Sequence, residues 1–339
     1  MALRKVEIFI EEALKDELAS FLEKSEMTDI WWSGMPGEHV VAAFLTIAET
    51  SDDLFDRLDK KFSDNDSFRI IISPVEAIIP RPQAEEEVAE PPEEKKPVKK
   101  PVFLLRITRA ELYDDINEFS ALSRNFIIMV VLSSVVAGIG ILTDNIPVLV
   151  GAMVIAPLLG PNLSLAFGTV LGDVELVRRS ATTALVATAI SLFIAFAWGL
   201  AYGNRLSEMP DPGINLSDII LAFMSGAAGA ITILRGGSAA LVGVMVAVAL
   251  LPPLMRAGLF AGGGLWIHSM HAFLVFMANT ICVNLAGIFT FLFAGITPKY
   301  WWEEKKARTY SYRALSVWTI LLLIMVAVVL LLNFYRSNQ

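Results

Sequence analysis

The 339-residue chain has one cysteine, three histidines and few charged residues. A single cysteine, Cys282, excludes an intrachain disulfide and any cysteine-rich metal site. Lys, Arg, Asp and Glu make up 18% of the chain, against roughly 25% in an average soluble domain. The chain also lacks a basic cluster of the size that a phosphate backbone requires, so we do not expect it to bind nucleic acid.

Enzyme motifs are also missing from the sequence. It contains no phosphate-binding P-loop, no His-Glu-x-x-His, no Gly-x-Ser-x-Gly and no dinucleotide fingerprint. Paired carboxylates that could catalyse hydrolysis do not occur in its apolar segments. We therefore expect a protein that is not an enzyme and that needs neither a cofactor nor a metal.

The few charges are unevenly distributed along the chain. Residues 1–100 contain 13 Lys and Arg against 23 Asp and Glu, a net charge of −10. Residues 101–339 contain 14 against 12, a net charge of +2. An acidic soluble part is thus followed by an almost uncharged part. The first residues are too charged for a signal peptide, so internal apolar segments are expected to direct the chain to a membrane.

Hydrophobic periodicity predicts an N-terminal domain over residues 1–80. Alternation of polar and apolar residues predicts a strand at 4–10, further β-like runs predict strands at 29–32, 40–47 and 68–79, and helical spacing predicts helices at 11–24 and 53–62. The resulting order, βαββαβ, is typical of a ferredoxin-like α+β domain. We expect this domain to be cytoplasmic.

The segment after this domain has a different composition. Residues 81–101 are rich in Pro, Glu and Lys, and they cannot bury enough surface to offset their chain entropy, which predicts a disordered linker. Residues 102–107 resemble a short strand, and Thr108 with Glu111 has the spacing of a capping box. An amphipathic helix follows, so residues 102–125 are predicted to couple the soluble part to the bilayer.

Seven long apolar segments follow within residues 126–335, and a helix needs about 20 residues to cross a bilayer. They lie at 126–142, 146–170, 180–201, 217–234, 238–260, 270–295 and 314–334. Positive residues are concentrated in alternate loops, which the positive-inside rule assigns to the cytoplasm. The sequence therefore predicts an α-helical multi-pass protein of the plasma membrane, with the N-terminus cytoplasmic and the C-terminus outside.

An internal repeat relates two parts of the membrane domain. A shift of 92 residues aligns 127–161 with 219–253, with 14 identities in 35 positions that include Gly151, Met153 and Pro161. Each copy contains three apolar segments, so the second copy must have the opposite orientation in the membrane. We therefore expect a 3+3 inverted repeat plus one further span, an architecture common in transporters.

Prolines fall near the middle of corresponding segments in the two copies. Pro157 and Pro161 lie in the second segment, and Pro252 and Pro253 lie in the fifth. A proline removes a backbone donor, and a carbonyl freed within lipid needs a partner or a wet cavity. One interpretation is that the freed carbonyls bind a solute or ion. The other is that the prolines only kink packed helices.

Polar side chains accompany these prolines. Asn162 directly follows Pro161, and Asn279, Thr280 and Asn284 lie in the sixth segment, where polar residues are costly and commonly functional. Their amides and hydroxyl could complete a pathway with the freed carbonyls. Alternatively, they only join helices through hydrogen bonds.

Two charges lie where the mouth of such a pathway would be. Asp144 joins the first two segments, and Arg256 lies in the outward half of the fifth. An aspartate there would attract cations, and an arginine would face an anionic solute. Alternatively, Asp144 only forms a turn, and the side chain of Arg256 only extends to the membrane–water interface.

Three Gly-x-x-x-Gly pairs are present in the apolar segments. They are Gly168/Gly172, Gly199/Gly203 and Gly258/Gly262. Such pairs allow close helix contacts within or between subunits. We also expect the protein to be a homo-oligomer.

Three runs of the sequence resemble one known family. They are Ile107 to Ile116, Ser123 to Ser133 and Asp144 to Pro161, of which Gly-Ala-Met-Val-Ile-Ala-Pro is the most specific part. They are similar to the prokaryotic membrane family called domain of unknown function 389, over roughly residues 105–295. The resemblance implies a bacterial or archaeal inner-membrane protein with a variable cytoplasmic extension. It brings no established activity.

We expect a transporter that moves a small solute or ion across the lipid bilayer, through a midplane site between the Pro-broken helices of the repeat. An ion channel, with a pore formed by an oligomer, is one alternative. A membrane-anchored sensor or scaffold, whose acidic domain binds a ligand, is another, although this rests on analogy with other domains of the same fold.

Overall fold

The computed structural model describes residues 3–25, 27, 29–35, 39–47, 51–65, 67–75, 107–206, 209, 216–237, 239–296, 316–320 and 323–324. The predicted linker at 81–101, the strand at 102–107 apart from Ile107, and most of the seventh apolar segment lie outside these residues. The chain divides into two compact units, Met1–Glu111 and Leu112–Gln339.

The first unit contains a four-stranded antiparallel sheet with the order β2-β3-β1-β4. Its elements are β1 (Leu3–Glu11), a 3-10 turn (Glu12–Leu14), α1 (Lys15–Lys24), β2 (Trp31–Met35), β3 (His39–Ile47), α2 (Asp52–Phe62) and β4 (Arg69–Pro74). The predicted βαββαβ order is therefore the order observed. The central strand β1 pairs with β3 from Leu3–Ile47 to Glu11–His39 and with β4 on its other side.

Alternation along β1 explains the core of this unit. Val6, Ile8 and Ile10 are fully buried and cluster with Leu18 of α1 and Leu58 of α2. Successive side chains of a strand point to opposite faces, so every second residue of β1 faces the helices. This pattern is the one from which the strand was predicted.

The second strand begins later than predicted. It covers Trp31–Met35 rather than 29–32, because Asp29 has a left-handed backbone with φ of 62°, which cannot continue an extended strand. Gly34 and Met35, which lie beyond the predicted strand, are part of the observed one.

The predicted capping box is present at the end of the first unit. The carboxylate of Glu111 accepts hydrogen bonds from the Thr108 backbone N–H at 2.9 Å and from its hydroxyl at 3.1 Å, and Thr108 Oγ1 accepts one from the Glu111 N–H at 3.2 Å. The same carboxylate accepts a hydrogen bond from Arg4 Nε at 2.8 Å. This ion pair joins residues 107–111 to the first strand.

The remaining helices form an apolar bundle. They are α3 (Arg109–Ser120), α4 (Arg124–Leu142), α5 (Ile146–Ile155), α6 (Leu159–Leu171), α7 (Val174–Leu206), α8 (Leu216–Leu234), α9 (Ala239–Gly262) and α10 (Trp266–Phe293). Four of them, α4, α7, α8 and α10, are long and apolar enough to cross a membrane, and α5 with α6 makes a fifth candidate that is bent by 47°. The described residues thus contain four or five candidate spans.

The amphipathic helix α3 packs on α6 and α7. Leu112 and Ile116 are fully buried, and the hydroxyl of Ser164 donates to the carbonyl of Ile116 at 2.7 Å. At the end of α3, the hydroxyl of Thr183 donates to the carbonyl of Ser120 at 2.7 Å. Carbonyls at a helix end lack partners within the helix, so the bundle supplies a donor where α3 needs one.

Glycines bring α7 and α9 into close contact. A methyl group added at Gly199 would lie 2.9 Å from the Cα atom of Gly262, and one at Gly203 would lie 3.4 Å from the Cα atom of Gly263. Gly258 likewise faces Ala195 of α7. The Gly-x-x-x-Gly pairs of α7 and α9 therefore serve a contact within the chain.

Candidate functional site

The predicted break in the second apolar segment occurs at Pro157. Helix α5 ends at Ile155, Ala156 is extended with φ of −67° and ψ of 117°, and α6 begins at Leu159. A residue before proline disfavours the helical conformation, which explains the extended Ala156. Pro157 also offers no N–H to the carbonyl of Met153, four residues earlier.

Pro161 has a different role from the one predicted. It lies in the first turn of α6, where backbone N–H groups have no partner within the helix and a proline removes nothing. Pro161 therefore does not contribute to the break.

The predicted break in the fifth segment is absent. Helix α9 continues through Pro252 and Pro253 from Ala239 to Gly262. The carbonyl of Ala249, which has lost its helical donor to Pro253, accepts a hydrogen bond from Asn279 Nδ2 of α10 at 2.7 Å. A side chain thus replaces the missing donor, and the expectation of matched breaks in both copies was wrong.

Two of the predicted asparagines meet between α6 and α10. Nδ2 of Asn284 donates to Oδ1 of Asn162 at 2.8 Å and to the carbonyl of Thr280 at 2.9 Å. Nδ2 of Asn162 in turn donates to the carbonyl of Leu158 at 2.8 Å. Both side chains are buried, with exposures of 6% for Asn162 and 0% for Asn284. The pair links the start of α6, just after the break, to the middle of α10.

Two amide oxygens of α10 have no donor among the described residues. Oδ1 of Asn279 and Oδ1 of Asn284 are buried and accept no hydrogen bond from the part of the chain that the structure describes. Most buried polar atoms in folded proteins have a partner, so each exception requires an explanation. These oxygens are the strongest indication of a binding position in the bundle.

The side chains of the other predicted site residues form no hydrogen bond with this cluster, although the backbone carbonyl of Thr280 accepts one from Asn284. Thr280 is half-buried, and its hydroxyl donates to the carbonyl of Phe276 in its own helix at 2.8 Å. Asp144 is exposed and occupies the α4–α5 turn with φ of 49°, and the neighbouring Asn145 caps α5 by accepting from the Val148 N–H at 3.1 Å. Arg256 is half-buried on α9.

The described part of this region offers no cluster of the side chains that typically hold transition metals. Within the described ranges, no group of three or more His, Cys, Asp or Glu side chains is placed to hold a metal ion. The cluster offers neutral amide and carbonyl oxygens, which suit weakly bound ions and hydrogen-bond donors rather than transition metals.

Sequence reasoning missed a polar contact between α3 and the α6–α7 turn. The hydroxyl of Tyr113 donates to Asp173 Oδ2 at 2.9 Å, while Asp173 Oδ1 caps α7 by accepting from the Leu176 N–H at 3.0 Å. Partial burial raises the pKa of the Tyr113 phenol, and the hydrogen bond to Asp173 raises it further. The capping position of Asp173 before an apolar helix is a signal that could have identified half of this contact.

A buried hydroxyl pair was missed as well. The Oγ atom of Ser134 in α4 donates to the Oγ atom of Ser191 in α7 at 2.9 Å. Small polar residues commonly join helices in apolar surroundings, but nothing in the sequence indicates which two of them meet.

Comparison with known proteins identifies the family of the chain. The sequence model of the family described as Domain of unknown function (DUF389) matches residues 153–285, a range that includes all three clustered asparagines. An uncharacterized protein of Methanocaldococcus jannaschii is 31% identical over 330 residues, which cover 95% of this chain and 97% of that protein. No solved structure matches the chain. Because the family model matches the chain and the relative is similar to it over nearly the whole length of both proteins, the chain belongs to the DUF389 family.

Proposed function

We propose that the protein is a membrane transporter in which a small solute or ion binds beside the asparagines of α6 and α10. The observation that carries this proposal is the pair of buried oxygens, Asn279 Oδ1 and Asn284 Oδ1, that no described donor satisfies. An unsatisfied buried polar group costs about 1–3 kcal/mol. A ligand that donates to these oxygens or coordinates them removes that cost.

The break between α5 and α6 supports the same location. Asn162, which accepts from Asn284, lies in the first turn after the break. Transporters commonly bind substrates where a span is discontinuous, because the unwound backbone there presents polar groups to a cavity. The break and the unsatisfied amide of Asn284 therefore belong to one part of the bundle.

An inverted repeat is part of the proposal, although only one copy contains a break. Helices α7 and α10 are the third helices of the two copies. α7 packs on α9, and α10 packs on α6, where a methyl group added at Gly287 would lie 2.9 Å from Ala166 Cβ. Each third helix thus contacts the middle span of the other copy, which is the pattern that a two-fold relation between the copies requires.

The surface of the bundle supports a lipid environment. Large apolar side chains are exposed on the long helices, including Phe293 at 81%, Phe193 at 74% and Leu185 at 68%. Apolar surface of this extent is normally covered by lipid or protein. Arg178 and Arg179 precede the apolar part of α7, so we place that end, and the N-terminal unit, in the cytoplasm of a bacterium or archaeon.

Flux measurements in proteoliposomes test the proposed function. Purified protein is reconstituted and assayed with a panel of inorganic ions, amino acids and sugars against empty vesicles. We expect flux of at least one solute that Asn284→Leu abolishes. The matched control is Thr290→Val, which removes a hydroxyl that, among the described residues, bonds to the carbonyl of Ala286 in the same helix.

Two outcomes would change the conclusion. Absence of flux across the whole panel, with folded protein in the vesicles, would contradict transport. Unitary currents in electrical recordings would identify a channel in place of a carrier.

A further inference from the structure

We propose that the site selects a monovalent cation, an inference that rests on the proposed transport function. The orientation of the Asn284 amide identifies which of its atoms has no partner. Its Nδ2 atom carries two hydrogens, and both are used, towards Asn162 Oδ1 and the Thr280 carbonyl. Oδ1 of Asn284 therefore points away from both partners.

A rotated amide would not fit this arrangement. Nδ2 of Asn162 donates to the Leu158 carbonyl, so the Oδ1 atom of Asn162 is the group that faces Asn284. Exchanging nitrogen and oxygen on Asn284 would bring two oxygens to hydrogen-bond distance. The atom left without a partner at Asn284 is consequently an oxygen, and the same reasoning holds for Asn279, whose Nδ2 faces the Ala249 carbonyl.

The unpartnered oxygens determine which sign of charge the ligand can carry. Each offers lone pairs and no hydrogen, so an anion would be repelled, while a cation or a hydrogen-bond donor would be stabilised. The two oxygens are five residues apart on α10, which corresponds to a rise of about 7.5 Å. Five residues also turn the helix by about 140°, so Asn279 faces α9 and Asn284 faces α6, and the two oxygens are not parts of one coordination sphere.

The lack of charged residues in the surrounding helices favours a monovalent over a divalent cation. Helices α6 and α10 contain no Asp, Glu, Lys or Arg. Divalent cations in proteins are normally held by carboxylates, which offset the cost of dehydration. Neutral carbonyl and amide oxygens are instead the ligands that replace the hydration shell of monovalent cations.

Arg256, the one charged residue of α9, provides an internal probe of this sign. It lies seven residues after Ala249, the partner of Asn279, so it is about 10 Å along the helix from the Asn279 contact and on nearly the same face. A positive charge at that separation opposes a cation and favours an anion. Removing it is expected to change cation affinity by about two- to tenfold.

The test measures thermal unfolding of the purified full chain in detergent at constant ionic strength. N-methyl-D-glucamine chloride is replaced stepwise by LiCl, NaCl, KCl or NH4Cl. We expect at least one of the four cations to raise the unfolding midpoint by several degrees and to do so saturably, since a ligand that binds only the folded state stabilises it. Asn284→Leu abolishes this rise, whereas Thr290→Val retains it.

Arg256→Gln keeps the proposal falsifiable if the Asn284→Leu protein does not fold. This variant leaves all three asparagines in place and is expected to lower the apparent Kd of the same cation. A weaker affinity in Arg256→Gln, an equal rise in all four salts, or a rise unchanged by Asn284→Leu would each overturn the inference. Equal behaviour in every salt would mean that a water molecule satisfies the oxygen.

The outcomes for the cation and for transport are separable. Flux of an anion or neutral solute that Asn284→Leu abolishes, without cation binding, would refute the cation and leave transport intact. If cation binding is saturable and depends on Asn284 but the proteoliposomes show no flux of any solute, transport is refuted and the binding site is retained.

Discussion

A double-mutant cycle between Asn279 and Pro253 tests how α9 remains continuous. The carbonyl of Ala249 loses its helical donor to Pro253 and accepts from Asn279 Nδ2 at 2.7 Å instead. Both Ala249 and Asn279 are almost fully buried, so water cannot replace the amide. Asn279→Leu leaves the carbonyl without a donor, whereas Pro253→Ala returns a backbone N–H to it.

The magnitude follows from the burial of this hydrogen bond. Leaving a buried acceptor unpaired costs about 1–3 kcal/mol, and hydrogen bonds between membrane helices average roughly 0.6 kcal/mol with a maximum near 1.7. We expect Asn279→Leu to lower the free energy of unfolding by about 1–1.5 kcal/mol. In the Pro253→Ala background the same change should cost less than about 0.5 kcal/mol, a coupling near 1 kcal/mol.

Reversible unfolding in mixed micelles supplies the four free energies of the cycle. The control cycle pairs Pro253→Ala with Asn284→Leu, whose amide bonds to α6 rather than α9, and its effects should add. If the Asn279 and Pro253 changes are also additive within about 0.3 kcal/mol, the replacement of the lost donor by Asn279 is refuted.

Two further predictions concern the packing of the bundle and of α3. Gly262→Ala should destabilise the protein by about 1–3 kcal/mol because it forces α7 and α9 apart. The control Gly151→Ala, with nothing within 4 Å of the added methyl, should be neutral or slightly stabilising. Equal changes in the free energy of chemical unfolding for the two variants would refute the close contact between α7 and α9. Tyr113→Phe should cost about 0.5–1 kcal/mol at pH 8 through the lost hydrogen bond to Asp173. The pKa of Tyr113 is raised above 10, so the stability that this hydrogen bond contributes is present below pH 10 and is lost as the pH rises through the raised pKa. If the stability difference between wild type and Tyr113→Phe persists above the raised pKa, the Tyr113–Asp173 hydrogen bond is not its source.

Local patterns were sufficient for much of the fold. Alternation identified the first strand, β-like runs located the other three approximately, and the Thr108–Glu111 spacing identified a capping box that the structure contains. The break at Pro157 was also predictable, since it depends only on the missing N–H and on the conformation of the preceding residue. Each of these features is determined by residues within a few positions of one another.

Features that depend on distant residues could not be predicted in the same way. The continuity of α9 depends on Asn279, which reaches a carbonyl 30 positions earlier in the chain. The Asn162–Asn284 bond joins residues 122 positions apart, so the sequence could name both residues as polar but could not pair them. Likewise, the glycines predicted a close contact, but their partners were identified only by the structure.

Cation-dependent flux through reconstituted protein tests the central proposal most directly. Vesicles containing wild-type protein, Asn284→Leu or Thr290→Val are compared with empty vesicles for uptake of Li⁺, Na⁺, K⁺ and NH4⁺. We expect uptake of at least one of these cations by the wild type and by Thr290→Val, and uptake at the level of empty vesicles for Asn284→Leu. Cation uptake that persists unchanged in folded Asn284→Leu protein, or no uptake by the wild type, would contradict the proposal.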